Sequence, residues 1–445
     1  MTETTPATSY KISVLAGISI VVANMVGTGV FTSLGFQVLG IQSGFALLML
    51  WVVGGVIALC GALSYGELAA AMPRSGGEYH YLSRIYHPAL GFLSGWVSAT
   101  VGFAAPTALA AMALGKYAQS VWPSVSPKAL SIGVVLALTL VHALSRRAGS
   151  RLQVVITAVK VLVLVVFIGA GFWVATPQPL AFLPHSAPDW QQLLSPAFAV
   201  SLVYVSYAYS GWNAAVYLTG EVREPQRNLP RILLIGTAIV LCLYVGLNFI
   251  FLYSTPIPKL AGQVEVGFVA ASELFGGAVG RLMGGVIAVL LVSTVSSMVF
   301  AGPRIVQVMG EDLPALRWLA KVSGQGIPVR ALLFQTALTL LFIASATFEA
   351  VLLYAGFILS LFTFLTVLGL FVLRWRQPEL ARPYRAWGYP LTPLLFLALN
   401  GWTLWFIAED KPTETRYGLL TLVVGLLVYG VGQALTQRFL AVRRT

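Results

Sequence analysis

The stretch Asn24-Met25-Val26-Gly27-Thr28-Gly29-Val30-Phe31 sets two glycines around a hydroxyl residue, in the middle of an apolar run from about Ile12 to Leu39. That run is long enough to span a bilayer, and at this octet it can unwind. Unwinding there leaves backbone N–H and C=O groups without partners, which is tolerated only where protein or a water-filled cavity receives them. A zwitterion can receive them too. Donors freed at Thr28 and Gly29 suit a carboxylate, helped by the dipole of a half-helix, and carbonyls freed around Met25 suit an ammonium group. The competing reading is packing, with Gly27 and Thr28 letting a neighbouring helix approach closely.

A second interruption falls in Ser201–Ala215, where Tyr204, Ser206, Tyr207, Tyr209, Ser210, Trp212 and Asn213 crowd a membrane helix and Gly211 offers a break. Paired interruptions at corresponding places in two halves point to a binding site between inverted repeats. Lys160 lies inside another apolar run, nine residues past Arg151, roughly 13 Å up a helix at 1.5 Å per residue. Its ammonium either snorkels back to the interface or reaches carbonyls freed by a broken helix, a fixed positive charge where sodium could otherwise bind. Ser293, Thr294, Ser296 and Ser297 either satisfy their own helix or meet Lys160 and the unwound part of the first span. Glu67, near the end of the second span, needs a backbone donor or an Arg as partner; it reads as a structural or gating carboxylate, with a proton site as the alternative.

These residues need a membrane scaffold. The 445 residues are 58% hydrophobic and 9% charged, with mean hydropathy +0.85, a composition that soluble domains of this size do not have. Apolar spans fall near 12–39, 43–72, 89–115, 129–145, 152–175, 195–218, 231–254, 281–309, 329–346, 350–373, 388–408 and 417–437, an all-α polytopic membrane protein of twelve helices. The chain divides into a tail (1–10), a first repeat (11–175, helices 1–5), a second repeat (195–373, helices 6–10), helices 11–12 (388–437) and a tail (438–445). The first span is too long for a signal-peptide core and runs into the second without a cleavage site. No connection is long enough for an appended domain.

Counting loops alternately, twenty of the 27 Lys and Arg residues fall on one side and six on the other, with Lys160 assigned to neither. This positive-inside bias places both termini in the cytoplasm, so the net charge of +12 reports topology and not a nucleic-acid partner. Cys60 and Cys242 lie within apolar spans, which argues against a disulfide to another subunit and against a thiol-ligated metal. Pro73 and Gly76-Gly77 stop the second span, and Glu78 to Tyr86 can then run as an amphipathic segment along the cytoplasmic face. Pro106 is expected to kink the third span. The mixed-charge loop Thr219–Pro230 reads as a gate whose charges pair in one state, or as a solvated loop. Arg374, Arg376, Arg382 and Arg385 anchor the link between spans 10 and 11.

The combination resembles the amino acid-polyamine-organocation superfamily and, within it, the L-type amino acid transporters of bacterial type. The resemblance is carried by Gly27-Thr28-Gly29-Val30-Phe31, by Pro73-Arg74-Ser75-Gly76-Gly77-Glu78-Tyr79, by Lys160, and by Tyr207-Ala208-Tyr209-Ser210-Gly211-Trp212-Asn213 leading to Glu221 and Asn228-Leu229-Pro230. It continues through Leu313-Pro314 and Gly326-Ile327-Pro328. It implies a LeuT-type fold, a 5+5 inverted repeat with discontinuous helices 1 and 6, and alternating access around a central site. By the same resemblance Thr28 and Gly29 would hold the substrate carboxylate, and carbonyls near Met25 and in Tyr207 to Ser210 would take the ammonium. Gly27 and Ala208 would line the same site. Tyr207 would gate it, Lys160 would replace a sodium site, and Asn213 would stand beside the binding part of helix 6. The loop 116–128 lacks the cysteine with which heteromeric animal members bind a heavy chain, so no disulfide-linked partner is expected.

No Asp or Glu lies near mid-membrane in spans 1, 3, 6, 8 or 10, and a buried cation without a counter-charge is costly. A neutral amino acid is therefore the expected substrate, carried without sodium and by exchange across the cell (inner) membrane, with no cofactor. Proton-coupled uptake, using Glu67 or Lys160, is the alternative. An embedded enzyme would need a nucleophile with a base, or a metal cluster, whereas His80, His87, His142 and His185 are scattered in loops or near helix ends. An ion channel would show charged rings or a filter loop, and neither is visible.

Overall fold

A computed structural model describes residues 11–144, 150–184, 187–312, 316–323 and 326–442. Apolar runs of this length satisfy their backbone only as helices in a bilayer, and every expected span has a helical counterpart. The helices are α1 (Val14–Met25), α2 (Gly29–Gly40), α3 (Gly44–Ala71), α4 (Gly77–Ile85), α5 (Pro88–Val97), α6 (Ala104–Val121), α7 (Pro127–Leu144), α8 (Ser150–Val174) and α9 (Ala187–Leu193). They continue with α10 (Pro196–Tyr209), α11 (Pro225–Ser254), α12 (Ile257–Leu260), α13 (Val266–Phe275), α14 (Gly277–Asp312), α15 (Val329–Ser345), α16 (Phe348–Arg376), α17 (Leu391–Asp410) and α18 (Pro412–Val442). Among the described residues nine helices are long and apolar enough to cross a membrane, or eleven when the bent pairs α1/α2 and α9/α10 each count as one span. The 17-residue apolar α15 stands in the place of the expected ninth span.

α3 packs along α11, and α6 along α14. In α3 67% of the apolar window is buried, against 17% in α18, so α3 is interior and α18 faces outward. Starts are fixed by side-chain caps, with Ser43 accepting from Ala46 N and Ser195 from Phe198 N; each satisfies an amide that the helix leaves free. The third span is interrupted earlier than Pro106. A π-helical turn occupies Ser98–Gly102, and Pro106 sits in the first turn of α6, where its missing N–H costs nothing. Leu313-Pro314, Arg146, Arg147 and His185 lie outside the described residues.

On the side where α1 begins, the chain ties itself across the bundle. Ile12 N donates to Glu221 O at 2.7 Å and Arg223 N to Ile12 O at 3.0 Å. Glu221, Arg223, Glu224 and Arg227 of the mixed-charge loop are exposed. Glu67, fully buried, meets both kinds of partner that its position demands. Arg374 grips it with Nε on Oε1 at 2.8 Å and Nη2 on Oε2 at 2.6 Å, and Ala386 N donates to Oε2 at 2.7 Å. Arg382 Nε stands 3.6 Å away. The fork pins the link after α16 against the end of α3. Glu67→Gln removes charge-assisted bonds, each of roughly 1.5–3 kcal/mol. It is expected to lower the thermal unfolding temperature of the purified protein by several degrees, and an unchanged temperature would remove Glu67 from this role.

Candidate substrate site

α1 ends at Met25, Val26 leaves the helix with ψ 81°, and Gly27 N folds back onto Met25 O at 2.8 Å. α2 then begins beyond Thr28, with no side chain capping it, so its first amides remain available. The half-helices differ in direction by 40°. In the second interruption α10 ends at Tyr209, Ser210 is extended with ψ 150°, and Gly211 has φ +97°, a conformation that only glycine adopts without strain. A 3₁₀ segment, Ala214–Glu221, follows.

The two interruptions touch. A Cβ on Gly29 would lie 2.5 Å from Ala208 Cα, and one on Gly211 would lie 2.9 Å from the Asn24 carbonyl. Tyr207 reaches the Thr28 side chain. Lys160, 4% exposed, donates to Thr294 Oγ1 at 2.7 Å and to Val26 O at 3.5 Å. The ammonium is therefore turned inward onto the broken helix, and snorkelling is set aside. The structure thus brings Met25, Gly27, Thr28, Gly29, Tyr207, Ala208, Ser210 and Lys160 to one place. Asn24 is exposed and Gly27 and Ser210 are half-buried, and a Cβ on Gly27 would find only Met25 O, at 3.8 Å. The breaks border open space.

Two expected residues stand apart. Asn213 turns its amide away, donating to Glu78 Oε1 at 3.0 Å. Glu67 is held at the end of α3.

One participant escaped the sequence reading. Tyr244 of α11 donates its hydroxyl to Met25 O at 2.5 Å and lies 3.1 Å from Ala208 O, so one phenol bridges the last turns of α1 and α10. Its signal was present in the sequence: Tyr244 and Asn248 are polar neighbours one turn apart in an apolar span, and Asn248 Nδ2 donates to Tyr244 O at 2.9 Å. Tyr244→Phe removes the bridge, a bond of roughly 0.5–1.5 kcal/mol. Transport is expected to fall about two- to tenfold, measured as initial rate in proteoliposomes.

Residues 12–429 match the model of a family described as amino acid permease. The chain belongs to this family. It is 30% identical over 457 residues to the large neutral amino acids transporter small subunit 2 of Mus musculus, covering 96% of this chain and 81% of the relative. It is 28% identical to the b(0,+)-type amino acid transporter 1 of Homo sapiens, over 96% and 88% of the two chains, and 28% identical to the Asc-type amino acid transporter 1 of Rattus norvegicus, over 96% and 82%. This permease is a multi-pass membrane protein for amino acid transport.

Proposed function

We propose that this permease exchanges neutral amino acids across the cell (inner) membrane without sodium, by alternating access to the space between the two breaks. The observation that carries the reading is the contact of the breaks around Gly29 and Ala208, with Lys160 on Val26 O. The uncapped start of α2 at Thr28 and Gly29 takes the carboxylate. Carbonyls near Met25 and of Tyr207 to Ser210 take the ammonium; the single Tyr244 proton goes to Met25 O, which also accepts from Gly27 N, so the lone pairs of Ala208 O remain for the substrate. Tyr207 covers the bound molecule, and Gly27 and Ser210 border it. The Lys160 ammonium supplies the positive charge that sodium would otherwise bring.

Neutral side chains fit because α1, α2 and α10 contain no Asp or Glu, and the mouse relative is named for large neutral amino acids. Twelve crossings, a first repeat in 11–175, a second in 195–373 and cytoplasmic termini belong to this reading, supported by the charge bias of the loops. So does a carrier without a disulfide-linked heavy chain, since Cys60 and Cys242 both lie within spanning helices.

In this orientation the outer end is closed. Phe36 stacks between Tyr204 and Phe348 at 5.8 Å from each ring, and Tyr204 Oη donates to Glu349 Oε1 at 2.6 Å. Asn24, beside the first break, is exposed, which supports access to the breaks from the end where α1 begins, the cytoplasmic end in this reading.

The test is uptake of a panel of radiolabelled amino acids into proteoliposomes, with and without internal amino acid, sodium and a pH gradient. Neutral amino acids stimulated from the opposite side and indifferent to sodium are expected. Uptake driven only by the pH gradient would replace exchange by proton coupling, and strict sodium dependence would remove the role given to Lys160.

A further inference from the structure

We propose that Glu78 is a proton-binding site on the cytoplasmic gate, and that its ionised form holds the inner half of span 6 in place while its protonated form releases it. Glu78 opens α4, the short helix between the second and third spans, and is buried at the junction of three elements. Its Oε1 accepts Tyr65 Oη of α3 at 2.7 Å and Asn213 Nδ2, just beyond the second break, at 3.0 Å. Aromatic packing closes the junction: Tyr65 lies edge-on to Trp212 at 4.6 Å between ring centres, and a Cβ on Gly77 would strike the Tyr217 ring at 2.6 Å. The carboxylate is thus the polar tie between α3 and the segment just beyond the second break.

Its surroundings are those of a group that exchanges a proton rather than one locked in an ion pair. The titratable side chains facing it are phenols: Tyr65 from α3, Tyr81 from its own helix and Tyr217 from the 3₁₀ segment. The arginines of the neighbouring segments do not pair with it: on α16, Arg374 grips Glu67 and Arg376 donates to Ile85 O at the far end of α4, and Arg74 and Arg84 are exposed. Among the described residues no ion pair involves Glu78. Burial pushes its carboxyl up to about 7, against the opposing pull of the Tyr65 and Asn213 donors. A proton arriving there removes the charge from both hydrogen bonds, and charge-assisted bonds are about twice as strong as neutral ones. The tie to Asn213 slackens on acidification.

The proposal rests on the transport reading and its orientation for what the release does, and two readouts separate them. The first is pH-difference infrared spectroscopy of the purified protein. A buried carboxyl C=O band is expected to appear on acidification with its midpoint near 7, to be absent in Glu78→Gln, and to move alkaline by about one pH unit or more in Tyr65→Phe, which loses a donor to the anion. A band that persists in Glu78→Gln, or a midpoint unmoved in Tyr65→Phe, overturns the proton site, and the Tyr65 variant decides if the Glu78 variant fails to assemble. The second is amino acid exchange in proteoliposomes at equal pH on both sides. Exchange is expected to rise as pH falls through that midpoint, and to stay at the acid-limit rate throughout in Glu78→Gln. A pH-independent wild type, or a Glu78→Gln with the wild-type profile, overturns the gate. Failure of the wild type to carry any amino acid would defeat the transport reading, while the infrared midpoint still judges the proton.

Discussion

Gly29→Ala is expected to bring amino acid exchange to background in protein that still inserts in the membrane. The added carbon would sit 2.5 Å from Ala208 Cα, 2.6 Å from Ala208 Cβ and 3.1 Å from Ala208 N. These neighbours are backbone or a stub of side chain, with no rotamer by which to retreat. The start of α2 and the last turn of α10 must therefore move apart, which separates Met25 O and Ala208 O and breaks the bridge that Tyr244 makes between them. Gly133→Ala is the control, since nothing lies within 4 Å of the carbon it would add; its exchange should match the wild type. Wild-type exchange by Gly29→Ala would show that the contact of the two breaks has no part in transport.

Lys160→Ala should lower exchange about tenfold or more, and sodium should not restore it. Burial at 4% exposure leaves the ammonium dependent on its bonds to Thr294 Oγ1 and Val26 O, and a hydrogen bond to a charged group contributes roughly 1.5–3 kcal/mol. The loss falls on the unwound peptide, because Val26 is the first residue past α1. Thr294→Val removes one partner and keeps the charge, so a smaller fall is expected. Lys160→Arg should not rescue, as the planar guanidinium fork does not fit the place of a compact ammonium. Undiminished, sodium-independent exchange in Lys160→Ala would contradict the role.

How much of this could be read from the sequence depends on distance along the chain. Both breaks were legible because their cause is local: Gly27-Thr28-Gly29 and Ser210-Gly211 interrupt apolar runs at mid-span, and α1 and α10 end there at Met25 and Tyr209. Lys160 was legible because a lone cation in an apolar helix demands acceptors, and freed carbonyls supply them. The partners of Glu67 could be named by type but not by number, since Arg374 is 307 positions away. The family resemblance put Asn213 beside the binding part of helix 6. The positive φ at Gly211 and the 3₁₀ segment beyond it turn the chain, so its amide points to Glu78. Tyr244 and Glu78 were missed for one reason: each gains its role from contacts among three elements, and no local pattern records which elements meet.

The central claim is that backbone groups of the two breaks hold both charged ends of one amino acid. Competition by blocked analogues tests it most directly. Exchange of a radiolabelled neutral amino acid would be measured in sodium-free proteoliposomes against the same amino acid unlabelled, its carboxyl amide and its N-acetyl derivative. The unlabelled parent is expected to compete fully and each derivative to lose competition by at least tenfold, because the amide removes the charge meant for the start of α2 and acetylation removes the ammonium meant for the carbonyls near Met25 and in Tyr207 to Ser210. Competition by either derivative equal to that of the parent would contradict the claim.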